Sequence, residues 1–172
     1  MSCRPKYAIL SKARPIALQE GGSMLRQFSV GIGVCVCAIV IHAVVMTTVV
    51  RTARAVGANS VLHPWLRLSA IMTATVLVLM FAHICEVLVW SLAYALTGAA
   101  PPGTNLVDFA FVNYTTLGYG DVLPTQDWRL LGPITAMNGI LMFGWSTAVI
   151  FEVLRRAMER AGPVIGLQST LE

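Results

Sequence analysis

Three long apolar runs separated by short polar stretches set the pattern of this chain. In the first, Val30 to Val50, the only acidic or basic side chain is His42. At about 1.5 Å per residue, a helix of that length crosses a hydrocarbon core of roughly 30 Å. Leu68 to Ala95 is longer than a span needs, so it is expected to tilt or to project beyond the bilayer. Pro133 to Val153 is the third run, with Glu152 near its end. The pattern predicts a first helix over 29–51, an outer helix over 68–96 and an inner helix over 130–156. Between the last two lies a polar stretch in which Pro101, Pro102 and Gly103 predict a turn. Asn105 follows as a helix cap and Asp108 complements the N-terminal end of the dipole, predicting a short helix over Leu106 to Tyr114.

Composition supports a membrane chain. Of 172 residues, 56% are hydrophobic and 12% charged, and the mean hydropathy is +0.73. A soluble domain carries about twice that share of charge. The formal charge of +4 resides in short basic flanks, which suits a membrane surface better than nucleic acid. Four cysteines do not make a disulfide framework: Cys35, Cys37 and Cys85 lie inside apolar runs and Cys3 in the tail. Zinc-type ligand spacing, a phosphate-binding glycine loop and a nucleophile elbow are all missing, so no enzyme and no resident cofactor is expected.

The polar stretch ends in Tyr114-Thr115-Thr116-Leu117-Gly118-Tyr119-Gly120-Asp121. A loop that strips water from a cation must replace it with backbone carbonyls pointing the same way. That needs left-handed dihedrals at alternate positions, which glycine adopts without a steric penalty, as at Gly118 and Gly120. Thr116 adds a hydroxyl for an innermost ion site, and Asp121 a carboxylate that concentrates cations at the mouth.

These residues resemble the selectivity filter of potassium channels, specifically the small bacterial channels of the helix–pore loop–helix type. The resemblance covers about Ile71 to Arg156. It includes Trp128-Arg129-Leu130-Leu131-Gly132-Pro133 and the run Asn138 to Thr147, which is similar to the inner helix of that group. It implies an all-α membrane protein with a re-entrant pore helix, one extra N-terminal helix and a tetrameric pore. It also implies passive transport of K+ as the permeant ion, held by Thr116, Leu117, Gly118 and Tyr119, with Gly120 and Asp121 at the outer mouth. Gly139 and Gly144 are the gating-hinge positions, unless they serve close helix packing. One pore loop cannot enclose an ion, so the expected partners are further copies of the chain and the bilayer, with no nucleic acid and no soluble partner.

Departures from the family pattern matter. Leu117 stands where many relatives have valine, and Asp108 and Phe109 where voltage-gated relatives have paired tryptophans. A weaker aromatic cuff around Tyr119 is expected, built from Tyr114, Phe111 and Trp90. A weakly selective cation channel of the same architecture is therefore the first alternative. The first run has no arginine at every third position, so it is not a voltage sensor. The tail after Arg156 is too short for a ligand-binding domain, and the Asn113-Tyr114-Thr115 triplet is an accidental glycosylation match.

Orientation follows from the filter, whose Tyr-Gly-Asp end faces outside in this family. Thr97 to Trp128 contains no Lys or Arg, as an external loop should. Arg51, Arg54 and Arg67 then lie inside, as do Arg155, Arg156 and Arg160 and a cytoplasmic tail over 158–172. The cell membrane of a bacterium is the expected location, with the N-terminus outside. The tail from Met1 to Phe28 conflicts with this, since it carries Arg4, Lys6, Lys12, Arg14 and Arg26, and it is expected to be disordered. Translation from Met24 would leave Arg26 alone; N-terminal sequencing tests this, and a mass that includes Met1 to Ser23 rejects it. A cleaved signal ending at Ala53-Arg54-Ala55 is disfavoured by the length of the apolar run.

Buried ionisable residues form a second cluster. His83 and Glu86 are three apart on one helix face, and charge within a span is functional by default. Glu86 is expected to back the filter by bonding Asn113 or Tyr114, with His83 as its partner in filter support or pH sensing. Plain interhelical packing is the other reading. A different class, a haem or redox subunit, would use His42 and His83 as axial ligands. Depth counting at about 1.5 Å per residue puts them roughly 10 Å apart along the membrane normal, which is awkward for one haem.

Overall fold

The computed structural model of the chain describes residues 16–56 and 64–161, and every regular element among them is helical. Helix α1 spans Ile16–Val56, α2 Pro64–Thr97, α3 Leu106–Tyr114 and α4 Leu131–Ala161, with a short 3-10 turn at Gln126–Trp128. Segments Met24–Thr52, Trp65–Thr97 and Gln126–Glu159 are long and apolar enough to cross a membrane. The chain is thus an all-α membrane protein of three spans with a short helix between the second and third. The expected residues before 16 and after 161 lie outside the described residues.

Helix α1 begins at Ile16 rather than at residue 29, so residues 16–28 are helical where disorder was expected. Two contacts anchor its outer part. The Gln27 side-chain oxygen accepts the Leu130 N–H at 2.8 Å, and the Arg26 guanidinium lies 4.6 Å over the Trp128 ring. The start of span one is therefore on the same side of the bundle as the loop that precedes α4.

Helix α2 starts at Pro64, which suits a first turn because its missing N–H would have no intrahelical partner there. It ends at Thr97, where the Ala99 N–H bonds back to the Tyr94 carbonyl at 3.2 Å. The turn at Pro101 to Gly103 closes with a bond from the Thr104 N–H to the Pro101 carbonyl at 3.3 Å. Helix α3 is capped by Asn105, whose side chain accepts the Val107 and Asp108 N–H groups at 3.1 and 3.3 Å.

α1 packs on both α2 and α4, and α3 packs against α2 and α4. Where α1 crosses α4 the backbones come close. A Cβ at Gly31 would meet the Ile134 side chain at 2.8 Å, so even alanine there requires that side chain to shift. The core joins Trp90 and Tyr94 of α2 to Phe109 and Tyr114 of α3 and to Leu131, Ile134 and Met142 of α4. Its polar atoms are paired. The Trp90 indole N–H donates to Asn138 Oδ1 at 3.0 Å, and the Tyr94 hydroxyl lies 2.7 Å from Thr135 Oγ1. In a bilayer such pairing is required, because no water is present to satisfy a lone donor.

Candidate functional site

The loop Thr116–Asp121 follows directly on the C-terminus of α3, and the way that helix ends shapes it. The Leu117 N–H bonds to the Val112 carbonyl at 3.0 Å and the Thr116 N–H to the Asn113 carbonyl at 3.1 Å. This is a Schellman closure, in which the residue after the cap takes left-handed dihedrals. That residue is usually glycine; here it is Thr116, with φ 60°. A β-branched side chain in this region costs about 1–2 kcal/mol. Gly118 follows with φ 53° and Gly120 with φ 80°. Left-handed residues therefore stand at 116, 118 and 120, the alternation needed to turn successive carbonyls to one side. The glycines were anticipated at two of the three positions. Thr116 was not, because nothing in its side chain signals a left-handed backbone.

The whole segment Thr116–Asp121 is exposed on the single chain, with Leu117 at 55% and Tyr119 at 71%. The Asp121 carboxylate accepts the Val122 N–H at 3.0 Å, which holds it at the end of the segment. Of the residues expected in the cuff, Tyr114 and Trp90 are fully buried and turn to His83, Phe143 and Asn138, bracing α3 and α2 within one chain, while Phe111 is 39% exposed.

Behind the segment lies a closed ring of hydrogen bonds drawn from all four helices. His42 Nδ1 of α1 is 2.6 Å from Glu86 Oε1 of α2, and the Tyr114 hydroxyl of α3 donates to Glu86 Oε2. His83 Nδ1 is 3.0 Å from that hydroxyl. On the far side of both imidazoles, Ser146 Oγ of α4 lies 3.0 Å from His83 Nε2 and 3.2 Å from His42 Nε2. All five residues are buried. The circuit Glu86–His42–Ser146–His83–Tyr114–Glu86 has one contact per step and needs one hydrogen in each. Two hydroxyls and two neutral imidazoles supply one each, and a single proton shared between Glu86 and His42 completes the set. With that proton the ring is fully satisfied and electrically neutral, which is what a buried polar cluster in a membrane requires.

The pairing of Glu86 with Tyr114 and His83 is present; Asn113 is not part of it, its amide bonding instead to the Phe109 carbonyl at 2.8 Å. Two members were missed from sequence. Ser146 carried no signal apart from lying within the inner-helix resemblance, and His42 had been weighed only as an axial ligand. The depth count for His42 and His83 is corrected by the ring centroids, which are 5.3 Å apart. Counting residues assumed upright helices with known bounds, whereas α1 and α2 both run beyond their spans. The Ser146 hydroxyl occupies the place between the imidazoles where an axial iron would stand, so the haem arrangement does not fit.

The two inner-helix glycines differ. A Cβ on Gly139 would lie 1.9 Å from the Tyr114 carbonyl oxygen, so α4 touches the end of α3 there. Gly144 has nothing within 4 Å and lies on the exposed face of α4 with Met137, Ile140 and Leu141. At the far end of α4, Glu152 is held by Arg155 at 2.9 Å and by Arg156.

Residues 82–156 match the family model described as an ion channel. The match runs from the residue before His83 through α3, Thr116–Asp121 and α4 to Arg156, and leaves α1 outside. Neither the curated proteins nor the solved structures contain a match.

Proposed function

We propose that this chain, whose residues 82–156 match the family model described as an ion channel, is a passive potassium-selective channel of a bacterial cell membrane. The reading rests chiefly on Thr116–Asp121, where left-handed backbone recurs at every second residue directly after a helix C-terminus. Carbonyls turned to one side replace the hydration shell of a cation, and the partly negative end of α3 favours a cation beneath them. K+ is bound by Thr116, Leu117, Gly118 and Tyr119, with Gly120 and Asp121 shaping the mouth.

Four copies complete the pore. Exposure of the whole filter segment and of Met137, Ile140 and Leu141 on α4 leaves a face that further copies would cover. The filter mouth and the start of α1 face outside, and the arginines after Glu152 face the cytoplasm. Glu86, His83 and His42 support the filter through Tyr114, and their carboxylate and imidazoles provide the chemistry for a pH response. Gly144 is the hinge of the inner helix, while Gly139 serves close packing on α3.

Rubidium or potassium uptake into liposomes carrying the purified protein tests this, run beside sodium and a Gly118→Ala control. Potassium uptake that excludes sodium and vanishes in the control is expected. Equal sodium uptake would favour the weakly selective reading, which Leu117 supports because its bulkier side chain must pack behind the filter.

A further inference from the structure

We propose that His42, His83 and Glu86, with Tyr114 as fourth ligand, form a site for one divalent transition-metal ion of the zinc class within the membrane-embedded bundle. The site stands on the geometry of the buried ring and is independent of which ion the filter passes.

Three observations carry it. First, ligand atoms of His42, His83 and Glu86 all lie within 4.8 Å of one another, and all three residues are buried. The donors facing inward are His42 Nδ1, 2.6 Å from Glu86 Oε1, and His83 Nδ1, 3.3 Å from Glu86 Oε2 and 3.0 Å from the Tyr114 hydroxyl. Ligands of a tetrahedral zinc site, at metal–ligand distances of about 2.0–2.1 Å, are about 3.3 Å apart. Widening the 2.6 Å His42–Glu86 and 3.0 Å His83–Tyr114 contacts, and the Tyr114–Glu86 contact with them, toward that separation would convert the ring into a coordination shell. Two imidazoles with two oxygens also form a donor set that zinc accepts.

Second, the outer support such a site needs is already in place. A metal on both Nδ1 atoms leaves each histidine with an Nε2–H that requires an acceptor, which fixes tautomer and ring orientation. Both Nε2 atoms face Ser146 Oγ, at 3.0 and 3.2 Å, and one hydroxyl oxygen has two lone pairs. Phe143 and Trp145 wall the rings, with centroids 4.5 Å from His83 and 5.3 Å from His42 respectively.

Third, the charges balance. The metal-free ring is neutral with one proton shared between Glu86 and His42 and another on Tyr114. One divalent ion displaces both protons and shifts the His83 hydrogen from Nδ1 to Nε2, leaving carboxylate, phenolate and two neutral imidazoles around it, and the site stays neutral. Binding thus exchanges two protons for one metal ion without leaving net charge in the membrane.

The test uses the purified full chain in lipid nanodiscs, loaded with Zn2+ or Co2+ and then dialysed. One metal ion per chain is expected by mass spectrometry, with the visible absorption of tetrahedral Co2+ and a higher unfolding temperature with Zn2+. Glu86→Gln and His42→Gln should lose the ion, Ser146→Ala should bind about 10–100-fold more weakly, and Cys85→Ser should bind normally. Folded wild-type protein retaining no metal above the dialysis background would overturn the site and leave a ring held by protons alone. Equal occupancy in folded Glu86→Gln would overturn it by placing the ion elsewhere. Because the readout is metal content, neither result depends on ion flux.

Discussion

Gly139 of α4 lies against the backbone of Tyr114, the last residue of α3, so closely that a Cβ would come within 1.9 Å of the Tyr114 carbonyl oxygen. No side-chain rearrangement relieves that clash, because the atom in the way is backbone. Gly139→Ala must push α4 away from α3, and overpacking of this kind costs about 1–3 kcal/mol or more. Gly144→Ala meets nothing within 4 Å in the single chain and should leave its fold unchanged. Unfolding of the two variants in detergent, followed by circular dichroism, checks the contrast. Equal loss of stability would rule it out.

Thr116 occupies a left-handed position that glycine would fill with less strain. Thr116→Gly is therefore expected to relax the backbone by about 1 kcal/mol while removing the hydroxyl proposed for the innermost ion site. Stability should hold or rise as potassium-over-sodium uptake falls. A variant with normal selectivity would show that the hydroxyl is not a ligand.

Tyr114 and Glu86 share a ring in which each member completes the next. Tyr114→Phe removes a donor from a buried carboxyl, a change that costs about 1–3 kcal/mol. Glu86→Gln disturbs the same circuit, so the double variant should be less destabilised than the sum of the singles. A double-mutant cycle on unfolding free energy should give a coupling of about 0.5–3 kcal/mol. Additive effects would indicate that the two contacts act separately. If the ring supports the filter, single-channel open probability should also change in Glu86→Gln.

Gln27 ties the first helix to the loop before α4 by accepting the Leu130 N–H at 2.8 Å. Gln27→Met keeps the length but leaves that donor without its acceptor, and should cost about 1 kcal/mol or more. Hydrogen exchange at the Leu130 amide should speed up in the variant. Unchanged exchange would show that the contact does not hold the helix.

Features written in local chemistry were legible from the chain alone. Three apolar runs specify three spans because length and hydropathy are properties of contiguous residues. The Asn105 cap and the helix over Leu106–Tyr114 follow from neighbours within three or four positions. Gly118 and Gly120 mark two left-handed residues because only glycine signals such a backbone by its identity. By the same logic Thr116 was silent, since its φ is imposed by how α3 ends rather than by its own side chain.

What tertiary structure alone decided is which distant residues meet. His42 bonds a residue 44 positions away and another 104 positions away, and no periodicity within one helix encodes such a pairing. A helix sequence shows which residues share a face but not how far each helix slides or turns against its neighbours. Contacts such as Gly31 on Ile134 and Gly139 on Tyr114 set that offset. The offset brings two imidazoles, a carboxylate and two hydroxyls into one ring behind Thr116–Asp121. The spans and the left-handed glycines at 118 and 120 were thus legible in the sequence, whereas the buried ring that joins the helices exists only once all four have packed.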